Sequence, residues 1–244
     1  MRSFTFPDHP ELDGRHAPFP ASSPSWLNYD DTKVFSKCRS DSRKELGTEL
    51  HAFCASYIRL GDKLTKNKYD IIRNFKSFLK GKYDKKGDAT VNSDDQKKLY
   101  NRLIYLYQAM DYLPDSVWET VYFYISECVN FRMMPERHLF YSYNFFGTAD
   151  AVSFDPESHI LRISDLKTGD TPGRIEQLYI YAAYACMQLE LKPDDITIEL
   201  RIYQSGDILL EVADKKKVIF VMEKVKRFDD IVNSEFYFGG AHNV

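Results

Sequence analysis

His51, Asp150, Asp165 and Lys167 are the residues of this chain whose types and spacing suit phosphoryl chemistry. In Ile163-Ser164-Asp165-Leu166-Lys167, the two-residue period of a strand places Asp165 and Lys167 on one face and turns Leu166 away. The preceding run, Gly147-Thr148-Ala149-Asp150, carries a second carboxylate, and a short hairpin lets it approach Asp165. Two carboxylates held together repel, so burying them is costly unless a cation sits between them. Mg²⁺ prefers a few carboxylate and carbonyl oxygens and keeps several waters, which leaves an open side where hydrolysis can start. The neutral imidazole of His51, in Gly47-Thr48-Glu49-Leu50-His51, is a competent further ligand and suits Mn²⁺ better than Mg²⁺. Lys167 beside the metal would orient the attacking water or stabilise the negative transition state.

Each residue alone has a plainer reading. An isolated Asp-x-Lys more often marks a solvated surface pair, and a lone helical histidine is more often structural. Asp150, however, falls mid-strand in Ala149-Asp150-Ala151-Val152, where aspartate is disfavoured without a reason. Glu136 is a further contact to such a metal, ranked behind these residues.

The elements that must position them follow from periodicity. Prolines 7, 10, 18, 20 and 24 make residues 1–24 an extended lead-in, with Ser25-Trp26-Leu27 as its anchor. From Ser42 to Leu60, apolar residues at three- and four-residue spacing (Leu46, Leu50, Phe53, Cys54, Tyr57, Ile58) predict an amphipathic helix stopped by Gly61. Helices are expected over Tyr69 to Leu79, Ser93 to Tyr112 with Ser93 as cap, and Asp115 to Val129, with Lys80 to Asn92 an exposed basic loop. Strands are expected at Leu139 to Tyr143, Phe146 to Phe154 and His159 to Lys167, then a helix from about Gly173 to Leu189. Two more strands, Asp195 to Tyr203 and Ile208 to Ala213, turn through Ser205-Gly206-Asp207. This order implies an α+β fold: a central mixed β-sheet flanked by helices, with a helical insertion over 61–135 between the first core helix and the β-meander.

Composition narrows the partners. A hydrophobic content of 43% over 244 residues buries a real core and fits one domain spanning 1–244. A formal charge of −3 excludes a protein that coats polyanions by bulk charge, so any nucleic-acid contact must be local. Lys82, Lys85 and Lys86 in the insertion are candidates for one wall of a DNA groove, with Arg174 beside the last catalytic segments. The tyrosines Tyr100, Tyr105, Tyr107 and Tyr112 recur irregularly, which leaves a base-stacking role of the kind single-strand binders use open. Cys38, Cys54, Cys128 and Cys186 are far apart and read as ordinary buried thiols, with neither zinc nor an iron–sulfur cluster. No apolar stretch reaches the roughly 18 residues a membrane span needs, and free thiols suit the cytoplasm, that of the host if the chain is phage-encoded.

The ordered set GTELH (47–51), GTAD (147–150), DLK (165–167) and QLYIY (177–181) resembles the RecB-type branch of the PD-(D/E)xK nuclease superfamily. The resemblance covers residues 42–60 and 136 to about 203 and leaves the insertion unmatched. It implies a restriction-endonuclease-like α/β core, with His51, Asp150 and Asp165 as metal ligands, Leu166 lending its backbone carbonyl and Lys167 as the catalytic lysine. Gln177 and Tyr181 fall on the matching family positions and, four apart on a helix, share one face. The implied activity is Mg²⁺- or Mn²⁺-dependent hydrolysis of DNA, favouring an exonuclease on single strands or duplex ends in recombination, repair or phage DNA processing. No helicase motif is present, so a helicase, recombinase or single-strand-binding partner would be a separate protein. The rival expectations are a noncatalytic DNA-binding or assembly protein that keeps the fold, and a hydrolase acting on RNA or a small phosphoester.

Overall fold

A computed structural model describes residues 19, 21 and 24–239, with side chains through 234, so most of the expected lead-in lies outside the described residues. Pro24–Asn28 forms a 3-10 turn in which no side chain is buried and Leu27 is exposed, so this segment does not anchor in the core. Helix α1 then runs over Asp31–Leu60, eleven residues earlier than apolar periodicity indicates. Asp30 caps it by accepting from the Lys33 amide, and its buried side chains begin only at Leu46. Periodicity reports the packed part of a helix, and the first four turns of α1 stand in solvent. Gly61, left-handed at φ 69°, ends it as expected.

The insertion is three helices: α2 (Lys68–Tyr83), α3 (Ser93–Met110, capped by Asn92) and α4 (Asp115–Asn130). Residues 80–82 therefore belong to α2 and not to the basic loop, because the last turn is held against α1. There, Lys82 and Tyr83 both donate to the buried carboxylate of Glu49.

Five strands follow: β1 (Met134–Ser142), β2 (Phe145–Asp155), β3 (Ile160–Lys167), β4 (Thr197–Gln204) and β5 (Asp207–Val212). They lie in sequence order in one mixed sheet, antiparallel except for β3 and β4, which are parallel. The parallel step needs a crossover, supplied by α5 (Ile175–Gln188). Ser205 and Gly206, at φ 56° and 84°, give the β4–β5 hairpin the left-handed pair that a tight turn requires. A last helix, α6 (Lys215–Gly239), follows β5, where the sequence reading assigned nothing.

The sheet separates two cores. On one side Ala151, Leu166 and Tyr203 pack with α1 to α4; on the other Leu161, Ile163, Leu200 and Ile202 pack with α5 and α6. Alternation along β3 sends Leu166 and Ile163 to opposite sides, as the strand period requires.

Candidate metal centre

The site forms where β2 parts from β3. Antiparallel pairing between these strands runs from Asp155↔Ile160 to Ala151↔Ser164 and stops there, with Asp150 and Asp165 next on the two strands. On the other side of β2, Pro135↔Ala151 and Arg137↔Ala149 pair, but Glu136 and Asp150 between them do not. Glu136 is left-handed at φ 50°, a conformation that costs a non-glycine residue about 1–3 kcal/mol and collects at functional sites. Ala149 and Ala151 pack into opposite cores, whereas an unbroken strand puts residues two apart on one side. Both strands are thus irregular here, Glu136 left-handed opposite Asp150 while the register on either side is unchanged, and this frees the Asp150 carboxylate to act outside the ladder.

That carboxylate does three things. Its Oδ2 accepts from the Leu166 amide at 2.8 Å, replacing the missing rung between β2 and β3. The same oxygen lies 3.5 Å from Nδ1 of His51 on α1. Together with Glu136, these residues place one imidazole nitrogen and two carboxylate oxygens within 4.8 Å of one another, a grouping able to hold a metal ion. His51, Glu136 and Asp150 thus converge from α1, β1 and β2.

Asp165 lies beside them, almost wholly buried, and Lys167 pairs with it at 3.0 Å (Oδ1) and 2.9 Å (Oδ2). The second of these contacts lacks hydrogen-bond geometry, so Oδ2 is a buried acceptor without a hydrogen bond. Burial, and then the charge of Asp150, push the Asp165 carboxyl above the usual carboxylate range against the pull of Lys167 and His51. Glu136 is raised for the same two reasons, burial and Asp150. Burial opposes charge on His51, but the bond to Asp150 and the negative charges of Asp150, Glu136 and Asp165 outweigh it and raise its pKa. Burial is the larger cause at Asp165 and Glu136, and the charge of Asp150 adds to it at both; a divalent ion would relieve that mutual repulsion.

The remaining residues singled out from sequence are placed as follows. Leu166 turns its side chain into the α1–α4 core, away from Asp165. Gln177 donates to the Tyr181 hydroxyl at 3.1 Å, and the Tyr181 ring lies over Gly147, where an added Cβ would meet it at 2.8 Å. The pair therefore braces the β2 segment that leads into Asp150. Lys82 is committed to Glu49, and Lys86 lies over the Tyr100 ring. Lys85 and Arg174 are exposed. Tyr105, Tyr107 and Tyr112 likewise carry Arg102, Lys76 and Arg39 over their rings. Among the cysteines, Cys54, Cys128 and Cys186 are buried but Cys38 is exposed, because it sits on the solvated half of α1. No described helix is long and apolar enough to cross a membrane.

Glu136, which spacing ranks behind the others, joins the group through an unpaired position in β1 that no short motif encodes. The one available signal was Pro135 at a strand start, which removes an amide from the ladder just before the irregularity. No family model, curated protein or solved structure matches the chain.

Proposed function

We propose that the chain is a metal-dependent deoxyribonuclease of the RecB type on a restriction-endonuclease-like core, acting as an exonuclease on single strands or duplex ends in recombination, repair or phage DNA processing. The observation that carries this reading is the convergence of His51, Glu136 and Asp150 within 4.8 Å of one another, next to the buried Asp165–Lys167 pair. Hard oxygens with one imidazole suit Mg²⁺ or Mn²⁺, and the buried Asp165 Oδ2 without a hydrogen bond is an acceptor that such an ion would satisfy. His51, Glu136, Asp150 and Asp165 are the side chains to hold it, with the Leu166 carbonyl as a backbone donor. A divalent ion held there supplies an acidified water and neutralises charge on the phosphate.

The chain's own groups do the rest. Asp165 fixes the Lys167 ammonium, whose free protons stabilise negative charge building on a nonbridging phosphate oxygen as the 3′ oxygen leaves and a 5′-phosphate forms. The Asp150 bond to the Leu166 amide keeps the ligand strands from re-pairing and closing the cleft. The test is incubation with labelled linear single-stranded, linear duplex and circular DNA in Mg²⁺, Mn²⁺ or EDTA. Cleavage of linear DNA that needs the ion and disappears in Lys167→Ala and Asp165→Ala supports the reading; cleavage that survives both variants refutes it.

A further inference from the structure

Beyond the metal centre, α1 continues for some twenty residues toward its N-terminus along a groove of about 550 Å³, whose far wall is the loop 168–171 following Lys167. Arg39, Arg43, Gly47 and His51 form one i, i+4 ridge that winds along α1. At a rise of about 1.5 Å per residue, Arg43 and Arg39 stand about 12 Å and about 18 Å from His51 along the helix. Gly47 is the contact between the walls: a Cβ there would lie 2.7 Å from Thr168 Oγ1, so any side chain would force helix and loop apart.

The loop is built rather than slack. Gln204, at the end of β4, donates to the carbonyls of Gly169 and Thr171 at 2.7 and 2.8 Å and accepts from the Gly173 amide at 3.0 Å. Arg43 reaches across the groove to Asp170 at 3.3 Å, a solvent-exposed pair that holds little energy and that a phosphate can replace. Arg39, an exposed residue, lies over the Tyr112 ring at 4.8 Å. The overall charge of −3 makes such a local pair of arginines, in a groove whose far wall directly follows Lys167 in the chain, distinctive for a polyanion.

Building on the proposed nuclease reading, we infer that this groove carries the single DNA strand leading away from the scissile phosphate, with Arg39 and Arg43 on successive phosphates and the 168–171 loop as the opposing wall. The basic insertion is then not the main track. Lys82 is tied to the buried Glu49, whereas Arg39 and Arg43 line the groove whose far wall begins at the residue after Lys167.

The experiment is fluorescence anisotropy of a labelled single-stranded oligonucleotide with the full chain in EDTA at several salt concentrations. The variants are Arg39→Ala/Arg43→Ala, Lys85→Ala/Lys86→Ala and Asp170→Asn, each checked for an unchanged Mn²⁺ thermal shift. The arginine pair weakens binding by about tenfold at low salt and flattens the slope of log K against log salt by about 1.4, at about 0.7 per lost phosphate contact. Asp170→Asn tightens binding a few-fold by freeing Arg43 and removing a like charge from the phosphate path, and the lysine pair changes little. The inference is overturned if wild type shows no salt-dependent binding, if the arginine pair binds like wild type, or if only the lysine variant loses affinity. Intact binding without Mn²⁺-dependent cleavage would reject the nuclease reading alone. Cleavage with an unchanged KM in the arginine variant would reject the groove alone.

Discussion

Glu136→Gln separates the cost of the acidic cluster from its use. The Glu136 and Asp150 oxygens lie within 4.8 Å of each other. At that distance two unit charges repel by about 1 kcal/mol in bulk water and about 3.5 kcal/mol at an effective dielectric of about 20. Glu136 keeps some solvent access, so the lower half of that range, about 1–2 kcal/mol, is the relevant size. In EDTA the variant is therefore more stable than wild type, and its Tm rises by roughly 2–8 °C at about 2–4 °C per kcal/mol for a chain of this size. With Mn²⁺ at about 100 times its Kd, wild type gains about 2.7 kcal/mol, roughly 5–11 °C, while the variant, short of one ligand, gains clearly less. Differential scanning fluorimetry with and without Mn²⁺ measures all four values. A variant that melts below wild type in EDTA would mean that the two carboxylates do not oppose each other. Equal Mn²⁺ shifts in both proteins would remove Glu136 from the ligand set.

Lys82→Ala strands the buried Glu49 carboxylate with Tyr83 as its remaining side-chain donor and costs about 1–3 kcal/mol in urea unfolding, discounted for the half-exposed lysine; Glu49→Gln in the same background recovers most of it, and a cost that Gln does not relieve would refute the pair. Gly47→Ala drives a Cβ onto Thr168 Oγ1 and costs about 1–3 kcal/mol, and Thr168→Ala added to it restores stability; additive losses would mean the walls do not touch there. His51, Glu136 and Asp165 all have pKa values raised by folding, so each contributes stability at low pH that is lost as pH rises. Ion-free stability from these groups therefore falls from about pH 4 to above the ordinary histidine value of about 6.5, while the Mn²⁺ increment grows over that window, because the ligands must be deprotonated to bind. Urea midpoints at pH 5 and 8, in EDTA and in Mn²⁺, check this; an increment larger at pH 5 would contradict it.

The packed elements were legible because burial and periodicity are two views of one constraint. Leu46, Leu50, Phe53, Cys54 and Ile58 all enter the core, and the Asp155 turn forms by its carboxylate accepting from Glu157 and Ser158. The N-terminal half of α1 was illegible for the converse reason: with no buried side chain before Leu46 it carries no apolar stripe. Helix α6 does carry one, since Val218 and Val225 are buried a heptad apart, but the lysines around them mask it in the sequence. The end of α2 looked like loop because Lys80, Gly81 and Lys82 are poor core formers, yet a single buried acceptor, Glu49, draws Lys82 and Tyr83 into one more turn.

The site divides along the same line. Asp165 and Lys167 share a face by strand period alone, which short-range geometry fixes. Asp150 could be noticed, since aspartate in mid-strand conflicts with propensity, and the structure answers the conflict by breaking both ladders at that residue. Its partner across the break, Glu136, stands in the sequence only as a lower-ranked contact. Glu136 reaches the cluster because β1 turns left-handed opposite the break in β2, and beyond Pro135 near the strand start nothing in β1's own sequence marks that turn. The strain at Glu136 and the repulsion among the carboxylates are both unfavourable to folding and both centred on one point. Under the proposed metal-dependent reading, a bound cation has the sign to offset both.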